Sequence, residues 1–141
     1  MSYTDTFIEA AEDCPEATGI APPLRGDHPS VPVLEHELLT KSPYKFTQEA
    51  LIFIVHVTRH GIMPADLKAR GAQIKADLFS KPHPCMRASQ LTKRYGWGVH
   101  HDEQGRIAIY ARGSKEYAAL AGGKKKAGTI LKAMRNARVV K

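Results

Sequence analysis

The sequence predicts an α+β fold, a single domain with a mostly antiparallel sheet of three to four strands and helices chiefly on one face. Three observations lead there. Residues 94–111 read as a β-hairpin turning around Asp102-Glu103-Gln104-Gly105. Leu51-Ile-Phe-Ile-Val-His-Val57 is a run of seven residues, nearly all β-branched or aromatic, with both alternating sets apolar. Around these lie segments whose apolar residues recur at helical spacing behind Ser, Thr or Pro start signals.

Taken in order, Thr6–Asp13 is ambiguous between a strand and a short helix capped by Asp5, and strand is the favoured reading. Residues 15–30 hold four prolines and two glycines without periodicity, a loop long enough to be functional or to pack as a lid. Ser30 caps a helix with Pro32 in its first turn and Leu34, Leu38 and Leu39 on one face; Ser42-Pro43 ends it. Leu51–Val57 then reads as a central strand covered on both faces, broken by His60-Gly61. Pro64 opens a helix to about Phe79 with a core stripe of Leu67, Ile74 and Leu78, and Gly71 inside it suggests a close crossing.

Pro82 and Pro84 stiffen an extended connector over Ser80–Cys85, and a short helical turn over Ser89–Lys93 leads into the hairpin. Pairing His101 with Arg106 sets Trp97 opposite Tyr110 and Val99 opposite Ala108 on one face. Gly96, Gly98, Ile107 and Ile109 then share the other. Ser114 caps a helix bearing Tyr117 and Leu120, and Gly122-Gly123 stops it. Residues 122–128 read as a flexible basic linker before a final helix, capped by Thr129 and bearing Ile130, Leu131 and Met134.

With 141 residues, 43% of them hydrophobic, the chain is long enough to bury a core without disulfide or metal staples. Two cysteines far apart suggest no disulfide framework, and no apolar run reaches membrane-spanning length. The acidic first residues lack the layout of a signal peptide, so the expected compartment is the cytoplasm and no membrane partner is expected. Net charge is +7. Residues 1–40 hold more acid than base, whereas lysines and arginines crowd the C-terminal third, an asymmetry that suits a polyanion but also an ordinary solvated face.

Several constellations invite chemistry. His56 and His60, four apart, would share a ligand face on a helix, but in an extended segment they stand roughly 13 Å apart; no metal site is expected from them. His83 and Cys85 with His100-His101 have no Cys-x-x-Cys pair behind them. Cys85, beside Lys81, His83 and Arg87, is the candidate for a reactive or redox-sensing thiol, with His83 or His100 and Asp102 as its would-be base and orienting group. The alternative is a quiet buried cysteine. Gly123–Thr129 lacks the lysine spacing and preceding strand of a phosphate-binding loop, and no cofactor is expected. Trp97 and Tyr110, with Arg94, Arg106 and Arg112 near, form either a stacking platform or a cross-strand pair packed under a helix.

Several pieces in order resemble a family of small bacterial proteins of unknown function. They are Tyr3-Thr-Asp-Thr-Phe-Ile8, Ala11-Glu-Asp-Cys-Pro15, Pro43-Tyr44 with Thr47-Gln48, Phe53 with Val55-His56, Arg87-Ala-Ser89, Lys93-Arg-Tyr-Gly-Trp-Gly98 with His100, Asp102 and Gly105-Arg106, and Lys132-Ala-Met-Arg135. The resemblance implies one full-length domain and brings no activity, cofactor or catalytic residue.

The reading that follows is a cytoplasmic, non-enzymatic domain binding a small ligand or a protein, through Tyr95, Trp97, His100, Arg106 and Tyr110, where the hairpin, the Ser80–Arg87 connector and the 15–30 loop converge. Its alternatives are a sequence-nonspecific nucleic-acid binder using Lys132, Arg135 and Arg138 on a basic C-terminal helix, and a thiol-dependent enzyme or redox sensor using Cys85.

Overall fold

A computed structural model describes residues 3–136. The segment ambiguous between strand and helix, with strand favoured, is a strand, β1 (Thr6–Glu9), and it lies inside the sheet. Three helices follow: α1 (Val31–Lys41), α2 (Gln48–Arg59) and α3 (Pro64–Leu78). A 3₁₀ turn (Met86–Ala88) and the single turn α4 (Gln90–Lys93) lead into the hairpin β2 (Trp97–His101) and β3 (Ile107–Ala111). Then come α5 (Lys115–Ala121) and β4 (Thr129–Lys132). The sheet order is β3-β2-β1-β4, antiparallel except for the β1–β4 pair, which is parallel.

Leu51–Val57 is not a strand but the body of α2. The start signal is Thr47, whose Oγ1 accepts the Ala50 N–H at 3.2 Å while Glu49 sits in the first turn. β-Branched residues cost only a few tenths of a kcal/mol each in a helix. Here that cost is outweighed by burial of Leu51 and Val55 against the sheet, on the same helical face as the buried Gln48. Apolar residues in both alternating sets, which suggest a two-faced strand, instead describe a helix with neighbours on more than one side: Ile54 packs on the core and Ile52 lines a cleft with Leu78.

The expected C-terminal helix is also a strand. Thr129–Lys132 runs beside β1, with Thr129 N–H donating to Asp5 O at 3.0 Å and Ala133 N–H to Glu9 O at 2.9 Å. The Gly122–Gly128 segment turns back on α5, since Ala127 N–H donates to Leu120 O and Ala127 is buried. Gly71 marks no crossing, because nothing lies within 4 Å of where its Cβ would stand. The α3 stripe of Leu67, Ile74 and Leu78 is only half-buried.

The hairpin turn holds one residue more than the predicted pairing allows. Asp102 N–H donates to Arg106 O at 2.9 Å, Gly105 takes φ +78°, and the Asp102 carboxylate accepts the N–H groups of Gln104 and Arg106. This is a three-residue loop with glycine in the left-handed position. The register therefore slips by one, to Trp97↔Ala111, Gly98↔Tyr110, Val99↔Ile109, His100↔Ala108 and His101↔Ile107. Trp97 and Tyr110 stand on opposite faces rather than as a pair.

The inner face carries Ile8, Val99, Ile107 and Ile109 into the main core with Leu34 and Leu39 of α1, Leu51 and Val55 of α2, and Leu91 of α4. The outer face carries Phe7, covered by Leu120 of α5 and edge-on to Tyr117 at 5.0 Å. Gly98 lies beneath these rings: a Cβ there would meet Tyr117 Cε2 at 2.7 Å. Among the described residues no helix is long and apolar enough to cross a membrane.

Two substitutions test this packing. Thr47→Ala should cost about 1 kcal/mol in urea unfolding; no loss would argue against the cap that starts α2. Gly98→Ala should cost about 1–3 kcal/mol by overpacking the Phe7–Tyr117 contact, and an unchanged midpoint would contradict that close approach.

Candidate functional site

Between α1 and α2 the chain passes along the edge of β3, with Tyr44 N–H donating to Ile107 O at 2.8 Å and Ile107 N–H to Phe46 O. To make that turn, Tyr44 adopts φ +58°. For a bulky residue this left-handed backbone is strained, a condition that clusters at functional sites. The strain places the Tyr44 hydroxyl between two side chains of the outer sheet face, 2.7 Å from His100 Nδ1 and 2.8 Å from Tyr110 Oη.

Burial lowers the His100 pKa against the opposing pull of Asp102 and Asp5, so the ring is neutral near pH 7. With Nδ1 as acceptor the chain runs Tyr110 O–H to Tyr44 O–H to His100, and with Nδ1–H as donor it runs the other way. Burial, then the hydrogen bond with Tyr110, drives the Tyr44 hydroxyl pKa well up, so it stays protonated. Tyr44, His100 and Tyr110 line an open cleft of about 680 Å³, with Asp5 and Asp102 on its wall and Lys115 and Lys124–Lys126 around it. Among the described residues, Asp5 (φ +45°) and Tyr44 are the two non-glycine residues with positive φ, and both line this cleft.

Of the five predicted ligand residues, the structure brings His100 and Tyr110 together here and leaves three elsewhere. Trp97 is half-buried on the inner face, against His36 at 5.0 Å, and its Nε1–H donates to Ile20 O at 2.7 Å. Tyr95 accepts Ile20 N–H on its carbonyl, and Gly19 N–H donates to Arg112 O, so residues 16–20 form a strap over this end of the hairpin. The strap explains Gly96, whose missing Cβ makes room for the Thr18 backbone. Arg106 is exposed beyond the turn. The Ser80–Arg87 connector joins other elements: Tyr3 O–H donates to Cys85 Sγ at 3.2 Å and Arg87 Nε–H to Lys132 O at 2.9 Å.

The thiol candidate is not assembled as expected. His100 bonds Tyr44, His83 Nε2 bonds Leu78 O at 2.7 Å, and Cys85 pairs with Tyr3. The basic candidates are not on a helix. Lys132 lies in β4 and pairs with Glu12 at 3.2 Å, Arg135 pairs with the same carboxylate at 2.6 Å, and Arg138 lies outside the described residues.

Two further groups carry perturbed chemistry. His101 is fully buried on the inner face, edge-on to Tyr3 at 5.2 Å, and neither ring nitrogen has a hydrogen-bond partner among the described residues. Burial, aided by His100, lowers its pKa to about 4. Glu35 accepts Ser89 O–H at 2.9 Å, and burial pushes its carboxyl up to about 7.

Sequence reasoning missed Tyr44. Its single local signal is the Ser42-Pro43 turn before it, which says nothing about a distant histidine.

Residues 1–139 match the model of a family described as a family of unknown function (DUF6157), and the chain belongs to that family. No curated protein and no solved structure matches it.

The His101 environment predicts a pH dependence. Its folded pKa lies below the unfolded value of 6.5, so the unfolded chain binds the extra proton. Its contribution to stability is complete above pH 6.5 and disappears as pH falls toward about 4, on the order of 3 kcal/mol in all. Chemical unfolding of wild type and His101→Leu across that window should show a shallower acid loss in the variant; parallel curves would contradict it.

Proposed function

We propose that this member of the family is a ligand-binding domain whose cleft at Tyr44, His100 and Tyr110 takes a small anionic molecule with an aromatic or otherwise flat body. The observation that carries the reading is the Tyr44 hydroxyl, held between His100 and Tyr110 by a strained backbone in the wall of the cleft. The cleft volume of about 680 Å³ lies within the usual range for small-molecule sites. A neutral imidazole and two phenols give directional donors and acceptors beside the carboxylates of Asp5 and Asp102. Lys115 and Lys124–Lys126 attract an anion, the carboxylates of Asp5, Asp102, Glu103 and Glu116 on the same walls oppose it, and salt screens both at this exposed rim.

In this reading His100 and Tyr110 keep the place in the ligand site expected of them, and Tyr44 and the lysine turn join it. The bound molecule is recognised reversibly. A location in the cytoplasm of bacterial cells accords with this reading.

The test is a titration of isotope-labelled protein with small aromatic carboxylates and mononucleotides, followed by backbone and ring resonances. Binding should shift Tyr44, His100, Tyr110 and Lys124–Ala127 and weaken as salt rises. Tyr44→Phe should weaken it about threefold to tenfold, the loss of one hydrogen bond. Shifts that cluster on another surface, or no shift with any of these compounds at millimolar concentration, would overturn the proposal.

A further inference from the structure

The helical identity of α2 changes what its histidines can do. His56 lies in its last turn and His60, four positions on, caps its C-terminus, and their ring centroids are 4.4 Å apart. Neither imidazole has a side-chain hydrogen-bond or carboxylate partner among the described residues. Side chains four apart on a helix project over the same face, the spacing by which helices present two imidazoles to one metal ion.

A third histidine shares the cleft. His83 stands on the connector stiffened by Pro82 and Pro84, and its Nε2 lies 2.7 Å from Leu78 O. A carbonyl accepts only, so Nε2 carries a proton, and in the neutral form of the ring the lone pair is on Nδ1. A ring nitrogen fixed on a backbone carbonyl is the usual support of a metal-binding histidine. His56, His60 and His83 line one cleft of about 270 Å³ with Glu35 on its wall.

We infer that this cleft is a binding site for a divalent transition-metal ion of borderline softness, zinc or nickel, held by His56 and His60. The described residues contain no set of three or more His, Cys, Asp and Glu side chains already gathered to hold an ion. Water therefore completes the shell, and His83 lines the same cleft. Neutral imidazoles select zinc or nickel over magnesium or calcium, which prefer oxygen donors. Arg59, on the rim of the same cleft, opposes the added charge, and Glu35, its carboxyl pushed up to about 7 by burial, offsets it when ionised.

The experiment is calorimetric titration of the full, untagged chain with Zn²⁺, repeated with Ni²⁺ and Mg²⁺. One zinc or nickel ion should bind per chain, and magnesium should not. His56→Ala and His60→Ala should each weaken zinc binding by at least about tenfold and His83→Ala by less, while His28→Ala leaves it unchanged. Because a helix substitution can disturb folding, imidazole resonances of the wild-type chain are followed in parallel. Zinc should move the His56 and His60 ring signals first. Absence of saturable binding, equal binding by all variants, or zinc-induced changes confined to Cys14, Cys85 or the other histidines would overturn the site.

Discussion

The conformation of one glycine decides which way each residue of the hairpin faces. Gly105 at φ +78° closes a three-residue loop, and the Asp102 carboxylate fastens that loop by accepting two backbone N–H groups. Because strand side chains alternate, a slip of one residue would exchange the two faces of β3. In the register observed, Ile107 and Ile109 enter the main core, and Tyr110 emerges on the outer face with His100. The core and the cleft therefore depend on the same turn.

The adjacent histidines show what that alternation does chemically. His101 points inward, is fully buried, and is held as a neutral ring by desolvation. His100, one residue away, points outward and meets the Tyr44 hydroxyl at 2.7 Å. One imidazole is a constraint on stability in acid, the other a polar group at an open cleft. The cost of seating Tyr44 in a left-handed backbone is borne by the packing of residues 44–47 along β3, which also covers that exposed sheet edge.

Much of this was legible locally. The cap at Ser114, the helical turn over Ser89–Lys93, the end of α5 at Gly122 and the existence of the hairpin all follow from nearby residues, and the strand at Thr6–Glu9 is the favoured of two readings. Three features were not. Leu51–Val57 has the composition of a strand, and burial of Leu51 and Val55 behind the Thr47 cap outweighs that residue preference. Thr129–Lys132 becomes a strand because β1, at the opposite end of the chain, offers a free edge for parallel pairing. The hairpin faces turned on whether Gly105 lies inside the loop or beside it, a difference of one residue in where pairing begins. The candidate site inherited these misses. Half of its predicted aromatic pair, Trp97, belongs to the other face, and its central member, Tyr44, arrives from a segment whose own sequence does not announce the encounter.

The register is the claim on which both the core and the cleft stand, and nuclear Overhauser contacts across the hairpin test it most directly. The structure predicts cross-strand contacts between Val99 and Ile109 and between His101 and Ile107, together with contacts from the Tyr44 ring to the His100 and Tyr110 rings. Contacts pairing Val99 with Ala108, and the Trp97 ring with the Tyr110 ring, would place the turn one residue away and dissolve the site described above.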